Sequence, residues 1–308
     1  MKKSNLLGVL LLLITATVWG IAFVAQSVGM DHLNAFAFNS IRTAIGVVVL
    51  LPVLAVTRIM SRKKNVTSNG QTQMTPLFSR DLFLGGLVCG TALAIASNFQ
   101  QFGIEQSTVG KSAFITTLYI VLVPIMGLFR KIKILPQVWI SVFLAMIGLF
   151  LLCMKDESFS LGIGDIYLLL CAFFFTIQIL CVEHFVKKVD GVALSILQFL
   201  VTSIISGIGM ILTEIPSRTD VINAAIPLLY AGGISCGVGY TLQIIGQKHL
   251  PATVASLIMS LESVIAALAG WVILHEVLSE KELLGCGLVF VAVILTQVPI
   301  PCRKKKNI

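Results

Sequence analysis

Ten runs of roughly twenty mainly apolar residues, divided by short polar or Gly/Pro breaks, leave this chain little choice of solvent. At 1.5 Å of rise per residue, a helix of about twenty residues spans the ~30 Å hydrocarbon core of a bilayer. The runs lie near 6–28, 35–57, 81–103, 108–129, 136–154, 161–182, 190–213, 221–246, 252–274 and 281–300, with Gly103 and Pro251 among the breaks. Charged residues make up 12% of the 308, against about 25% in soluble domains. A water-exposed fold would therefore have almost nothing to place on its surface. Lys2 and Lys3 ahead of an apolar run resemble the start of a signal peptide, but the run continues through Trp19 to Val28 and nine more follow. It reads as the first helix. The expectation is an all-α membrane protein of ten transmembrane helices.

Alternation of the loops gives this count a direction. One side collects Lys2 and Lys3, five basic residues of the 58–80 loop, Arg130, Lys131 and Lys133. It also takes Lys187 and Lys188, Lys248, and the tail Arg303 to Lys306, which makes seventeen. The other side holds four: Lys111, Lys155, Arg218 and Lys281; Arg42 lies inside a run. Basic residues accumulate on the cytoplasmic side of membrane proteins, so both termini are expected in the cytoplasm of a multi-pass protein of the cytoplasmic membrane. The same pattern accounts for the net charge of +8 without nucleic acid, since the basic clusters carry no interleaved aromatics. The seven cysteines form no C-x-x-C pair and sit mostly in apolar stretches, as small buried residues do.

The chain also resembles itself. At an offset of 156, Gly8 meets Gly164, Leu12–Leu13 meets Leu168–Leu169, Ala16 meets Ala172, Trp19 meets Phe175, Ile21 meets Ile177 and Arg42 meets Gln198. At an offset of 143, Gly90 meets Gly233, Gln100 meets Gln243, Gly103 meets Gly246, and Ile115, Leu118, Val121 and Gly127 meet Ile258, Leu261, Val264 and Gly270. The offsets differ by 13, the excess of the 58–80 loop over 214–223, so one surface indel reconciles them. Five spans per half is an odd number, which turns the halves, 1–155 and 156–308, upside down relative to each other. Inverted repeats of this kind build carriers that rock about a site near the bilayer midplane.

Particular residues carry a family resemblance. Thr17–Val18–Trp19–Gly20, Arg42, and Gly110–Lys111–Ser112–Ala113–Phe114 leading to Leu118 through Pro124 resemble the first EamA-type repeat. Ser260–Leu261–Glu262–Ser263–Val264, Gly270–Trp271 and His275–Glu276 resemble the end of the second. Over nearly its full length the chain is similar to ten-helix members of the drug/metabolite transporter superfamily. It departs where that pattern usually has proline after the glutamate, for Ser263 stands there. The resemblance implies a secondary carrier of small organic solutes, amino-acid-like metabolites or drugs, often exporting them.

Glu262 is the clearest candidate, about ten residues and roughly 15 Å inside the ninth run. A carboxylate there must face the bundle interior, pair, or take up a proton. It is either a contact for a substrate ammonium or a coupling group, or else a fixed partner of Arg42 or of neighbouring hydroxyls. Arg42, about 10 Å into the second run, can grip a substrate carboxylate in two-pronged fashion or lock helices through carbonyls or Glu262. Gln100 and Gln243 occupy equivalent positions; Asn98, Gln101, Thr117, Tyr119, Gln178, Gln198 and Tyr240 add polar groups in apolar settings. Some should line a pocket and others join helices. Among these, Glu262, Arg42, Gln100, Gln243, Asn98, Tyr119, Gln178 and Tyr240 form the expected binding or coupling set. Glu183–His184 and His275–Glu276 are either pH-sensitive gates or solvated helix ends. The four histidines form no metal-ligand cluster, and no cofactor is implied.

Competing functions fit less well. A membrane enzyme acting on lipid or prenyl groups needs gathered acids with metal, or a nucleophile with a base, and the acids here are scattered. No Walker-type loop supplies ATP hydrolysis. A receptor would carry a soluble signalling portion, whereas the largest loop, 58–80, is short and polar. The expected partners are a small-molecule substrate and membrane lipids; homodimerisation stays open.

Overall fold

The computed structural model describes residues 3–67, 79–129, 131, 134–153, 162–273 and 279–297. Every regular element among them is a helix: α1 (Lys3–Met30), α2 (Ala35–Thr67), α3 (Arg80–Ile104), α4 (Val109–Thr116), α5 (Tyr119–Phe129), α6 (Pro136–Cys153), α7 (Ile163–Phe185) and α8 (Gly191–Thr213). After the short α9 (Arg218–Asn223) come α10 (Ala225–Leu229), a π-helix over Tyr230–Tyr240, and α11 (Thr241–Gln247), then α12 (Ala252–Met259), α13 (Leu261–Ile273) and α14 (Glu280–Gln297). Lys2, Arg130, Lys133, Lys155, Cys302, the basic tail, His275–Glu276 and much of the 58–80 loop lie outside the described residues.

Among the described residues, eight helical stretches are long and apolar enough to cross a membrane. Pro136–Leu151 is a shorter apolar helix, and α14 covers the tenth run but opens with Glu280, Lys281 and Glu282. Burial is arranged for lipid. Large apolar side chains such as Phe83, Phe143, Ile211 and Ile226 point outward, while Asn39, Gln178, Gln198 and Ser206 are fully buried. Without a hydrophobic drive between helices in lipid, such polar contacts and close packing hold them together.

Several boundaries differ from the apolar runs. α2 continues to Thr67, so the first part of the expected 58–80 loop is helical. The helical stretch in the run 221–246 begins at Ala225, because Ser217 and Asp220 cap α9 reciprocally and set it off as a separate turn. The fourth span is broken: Ile120 and Val121 donate to Thr117 and Leu118 in tight three-residue turns, ahead of Pro124, which has no N–H to give. The stretch Ala252–Ile273 is broken at Ser260. There Ser260 Oγ donates to the Leu257 carbonyl and Ser263 Oγ to the Ser260 carbonyl, competing with the helical ladder. Serine hydroxyls thus accompany the break.

Close crossings recur between corresponding helices. A Cβ on Gly103 would stand 2.4 Å from Leu168 Cγ and 3.1 Å from the Gly164 carbonyl oxygen; on Gly246 it would stand 2.9 Å from Leu12 Cγ and 3.4 Å from the Gly8 oxygen. So α3 crosses α7 as α11 crosses α1. The pairing corrects one match made on sequence. Gly90 lies 2.6 Å from Val201 Cβ and 2.7 Å from the Gln198 carbonyl, measured from an added Cβ, and Gly232 has the same distances to Ile45 Cβ and the Arg42 carbonyl. Gly232, not Gly233, is therefore the counterpart of Gly90. The register slips by one residue before Gln243, and the π-helix Tyr230–Tyr240 is where the extra residue is absorbed.

Candidate functional site

Seven helical stretches meet around a narrow cavity with about 410 Å³ of space between atoms. Of the eight residues singled out on sequence, seven line it: Arg42, Gln100, Tyr119, Gln178, Tyr240, Gln243 and Glu262. Asn98 does not reach the cavity. It stands behind it, accepting from Asn39 Nδ2 at 3.0 Å and donating to Ser206 Oγ at 2.8 Å.

Arg42 is held rather than paired. Its Nε donates to Asn39 Oδ1 and its Nη1 to Gln26 Oε1, both at 2.8 Å, with the Phe38 ring 5.6 Å below the guanidinium. Asn39 sits one helical turn earlier, the spacing at which side chains meet, and is anchored in turn by the Ser97 carbonyl at 2.9 Å. Neither Glu262 nor any other described carboxylate forms an ion pair with Arg42; the ion pairs among the described residues are Lys111–Asp165 and Lys187–Glu183. The expected alternative of an Arg42–Glu262 lock is thus not what this structure contains.

Glu262 lies in the first turn of α13 and is 3% exposed, and its Oε1 accepts from the Tyr119 hydroxyl at 2.8 Å. Tyr119 opens α5, so both partners stand just past the breaks in their spans. A chain of amides runs alongside: Gln243 Nε2 donates to Gln178 Oε1 at 3.2 Å, and Gln178 Nε2 to Gln198 Oε1 at 3.3 Å. Gln243 Oε1, Gln198 Nε2 and the buried Trp19 Nε1 have no hydrogen-bond partner. Tyr240 packs against Trp19 at 4.5 Å and edge-on to Phe199 at 5.5 Å.

The offsets found in the sequence pair these groups. Arg42 corresponds to Gln198, Trp19 to Phe175, Gln100 to Gln243 and Tyr119 to Glu262. Hydrogen bonds follow suit: Asn39 to Asn98, and at the corresponding positions Thr241 Oγ1 to Ser195 Oγ at 3.3 Å. Both charged members, Arg42 and Glu262, have neutral counterparts. The framework repeats while the charge does not.

Sequence reasoning missed Gln26 and Asn39, which orient Arg42. The available signals were Gln26 as a polar group in the first apolar run and Asn39 at helical spacing from Arg42. It also missed Asp165, 2.7 Å from Lys111 Nζ and accepting from the Gly162 amide at 2.9 Å. Glu183 Oε1 accepts from the Ala252 amide at 3.2 Å, so this member of the Glu183–His184 pair caps α12. Gln101 turns from the cavity toward Met30, and Thr117 bonds the Phe114 carbonyl of its own helix.

The fold and this interior define a multi-pass helical membrane protein. A family model described as the EamA-like transporter family matches residues 6–154 and 162–298. The chain belongs to that family, within the drug/metabolite transporter superfamily, and is a membrane transporter. It is 27% identical over 292 residues to a protein of Archaeoglobus fulgidus described as an uncharacterized transporter, covering 94% of this chain and 85% of that one. A solved crystal structure shares the fold with a TM-score of 0.71 at 15% identity, covering 94% of this chain and 96% of the other.

Proposed function

We propose that this protein is a secondary carrier moving a small, amino-acid-like organic solute across the cytoplasmic membrane by alternating access. It does so with ten spans in two inverted repeats, 1–155 and 156–308, and both termini in the cytoplasm. The observation that carries the proposal is a cavity holding a buried cation and a buried carboxylate that do not pair with each other. Leaving such groups uncompensated in low dielectric is costly, and a solute bearing both charges would compensate them. Arg42 takes its anionic end and Glu262 its cationic end. Gln243 Oε1 and Trp19 Nε1 offer an acceptor and a donor between them.

α7 carries an acid near each end, and each holds the start of one half-helix. Asp165 holds α4 through Lys111, and Glu183 holds α12 through the Ala252 amide. The far ends of α4 and α12 lead to Tyr119 and Glu262. Releasing one tie while keeping the other opens the cavity to one side only. In the proposed topology the Lys111–Asp165 tie is the outer one.

The test is a thermal-stabilisation screen of the purified protein with amino acids and related metabolites at two pH values. Stabilisation confined to solutes bearing both a carboxylate and an amine is expected. Equal response to neutral analogues lacking either group would refute the assignment.

A further inference from the structure

A second cleft lies outside the central cavity, between α5 and α7, lined by Met126, Ile177, Leu180, Cys181, His184 and Phe185. It holds about 560 Å³ of space and is open at the protein surface. Its long wall is one stripe of α7, since positions 177, 181 and 184 follow helical spacing, and Lys188 stands in the turn just after the helix. From Ile177 to Phe185 this wall rises about 12 Å, and with Lys188 in the turn beyond it approaches the ~15 Å depth of one leaflet of hydrocarbon.

The chemistry changes along the stripe. Its inner part is apolar. At the end of α7, Lys188 Nζ donates to His184 Nε2 at 3.1 Å and stands 6.0 Å over the Phe185 ring. Lys187 and Lys188 are both exposed, as is Lys131 beyond the end of α5. The nearby acids are engaged elsewhere: Glu183 with the Ala252 amide and Lys187, Asp190 with the Ala193 amide as the cap of α8. This end of α7 shares a face of the bundle with the start of α1, because Gly8 abuts His249 and Leu250 just before Ala252. An apolar furrow one leaflet deep therefore ends at a cationic rim.

We propose that this cleft seats an anionic phospholipid, with one acyl chain along Ile177, Leu180 and Cys181 and the phosphate beside Lys188 and His184. The seat rests on the membrane placement of α7 and is independent of which solute the central cavity takes. A basic residue at a membrane surface attracts anionic lipid with about 1 kcal/mol, or roughly fivefold in affinity.

The full-length protein, purified in mild detergent, is mixed with phosphatidylglycerol and phosphatidylcholine of identical chains, and retained lipid is counted by native mass spectrometry. One retained phosphatidylglycerol, preferred about fivefold, is expected. Lys188→Glu, at an exposed site, should bring the preference below about twofold. Cys181→Trp, which fills the furrow, should reduce retention while the lysine remains. Lys248→Glu, on the same face but outside the cleft, should leave both unchanged, and millimolar inorganic phosphate should not displace the lipid. Equal retention of the two lipids by the wild type would overturn the proposal. So would a preference that survives both Lys188→Glu and Cys181→Trp, or displacement by phosphate alone.

Discussion

Replacing Lys111 by methionine keeps the length of the side chain and removes only its charge. In the structure that charge holds Asp165 at 2.7 Å, with the lysine side chain 29% exposed and the aspartate 3%. A hydrogen bond between charged groups contributes about 1.5–3 kcal/mol when sheltered. Partial exposure of the lysine screens it toward about 1–2 kcal/mol. At 1.36 kcal/mol per factor of ten, loss of the tie raises the population open on that side about 5- to 30-fold. A reporter is already in place, since Cys171 is fully buried and its Sγ lies 3.9 Å from Thr116 Oγ1 on α4. In a variant with Cys171 as the sole cysteine, a membrane-impermeant thiol reagent added outside should label it faster in Lys111→Met by that factor. Asp165→Asn should act in the same direction and more strongly, because it also weakens the bond from the Gly162 amide. Unchanged labelling in Lys111→Met, with melting temperature and expression unaltered, would refute the role given to the tie.

Other predictions are structural. Gly103→Ala should destabilise by about 1–3 kcal/mol through overpacking against Leu168, read as a lower melting temperature in detergent. Gly110→Ala, where an added Cβ meets nothing within 4 Å, should cost little. Deleting Gly233, beside which there is also open space, removes the extra residue of the π-helix. The deletion variant should fold and reach the membrane, whereas deletion of Leu93 from the matching part of α3 should not, as judged by gel filtration. Asn39→Ala frees one prong of Arg42, so apparent solute affinity should fall about tenfold, consistent with about 1–2 kcal/mol for the lost bond, while expression persists.

How much of this was legible in the sequence follows from the strength of each signal. Apolar runs and basic loops are long-range averages, and they located α1, α3, α7 and α8 to within a few residues. Breaks inside a run are local competitions between hydroxyl and backbone donors. The hydropathy of 252–274 therefore showed one helix where Ser260 and Ser263 make two. The π-helix was hidden for a related reason, since adjacent Gly232 and Gly233 are alike in composition and only packing tells which one touches Arg42. Polar residues in apolar runs were few enough that seven of those chosen line the cavity. Polarity alone could not tell a lining residue from the scaffold behind it, and so Asn98 was grouped with residues it only supports. Asp165, by contrast, became visible as a partner only when tertiary structure brought α4 and α7 together.

The proposed carrier mechanism rests on the unpaired charges around one cavity. The direct measurement is uptake of a stabilising solute by proteoliposomes containing wild type, Glu262→Gln or Arg42→Gln, each verified as folded by its melting curve. Saturable uptake by wild type is predicted, with a loss of at least about tenfold in either variant, since each removes a charged contact of about 1.5–3 kcal/mol. Uptake at the wild-type rate in both variants would contradict it, for the two charges would then have no part in carrying the solute.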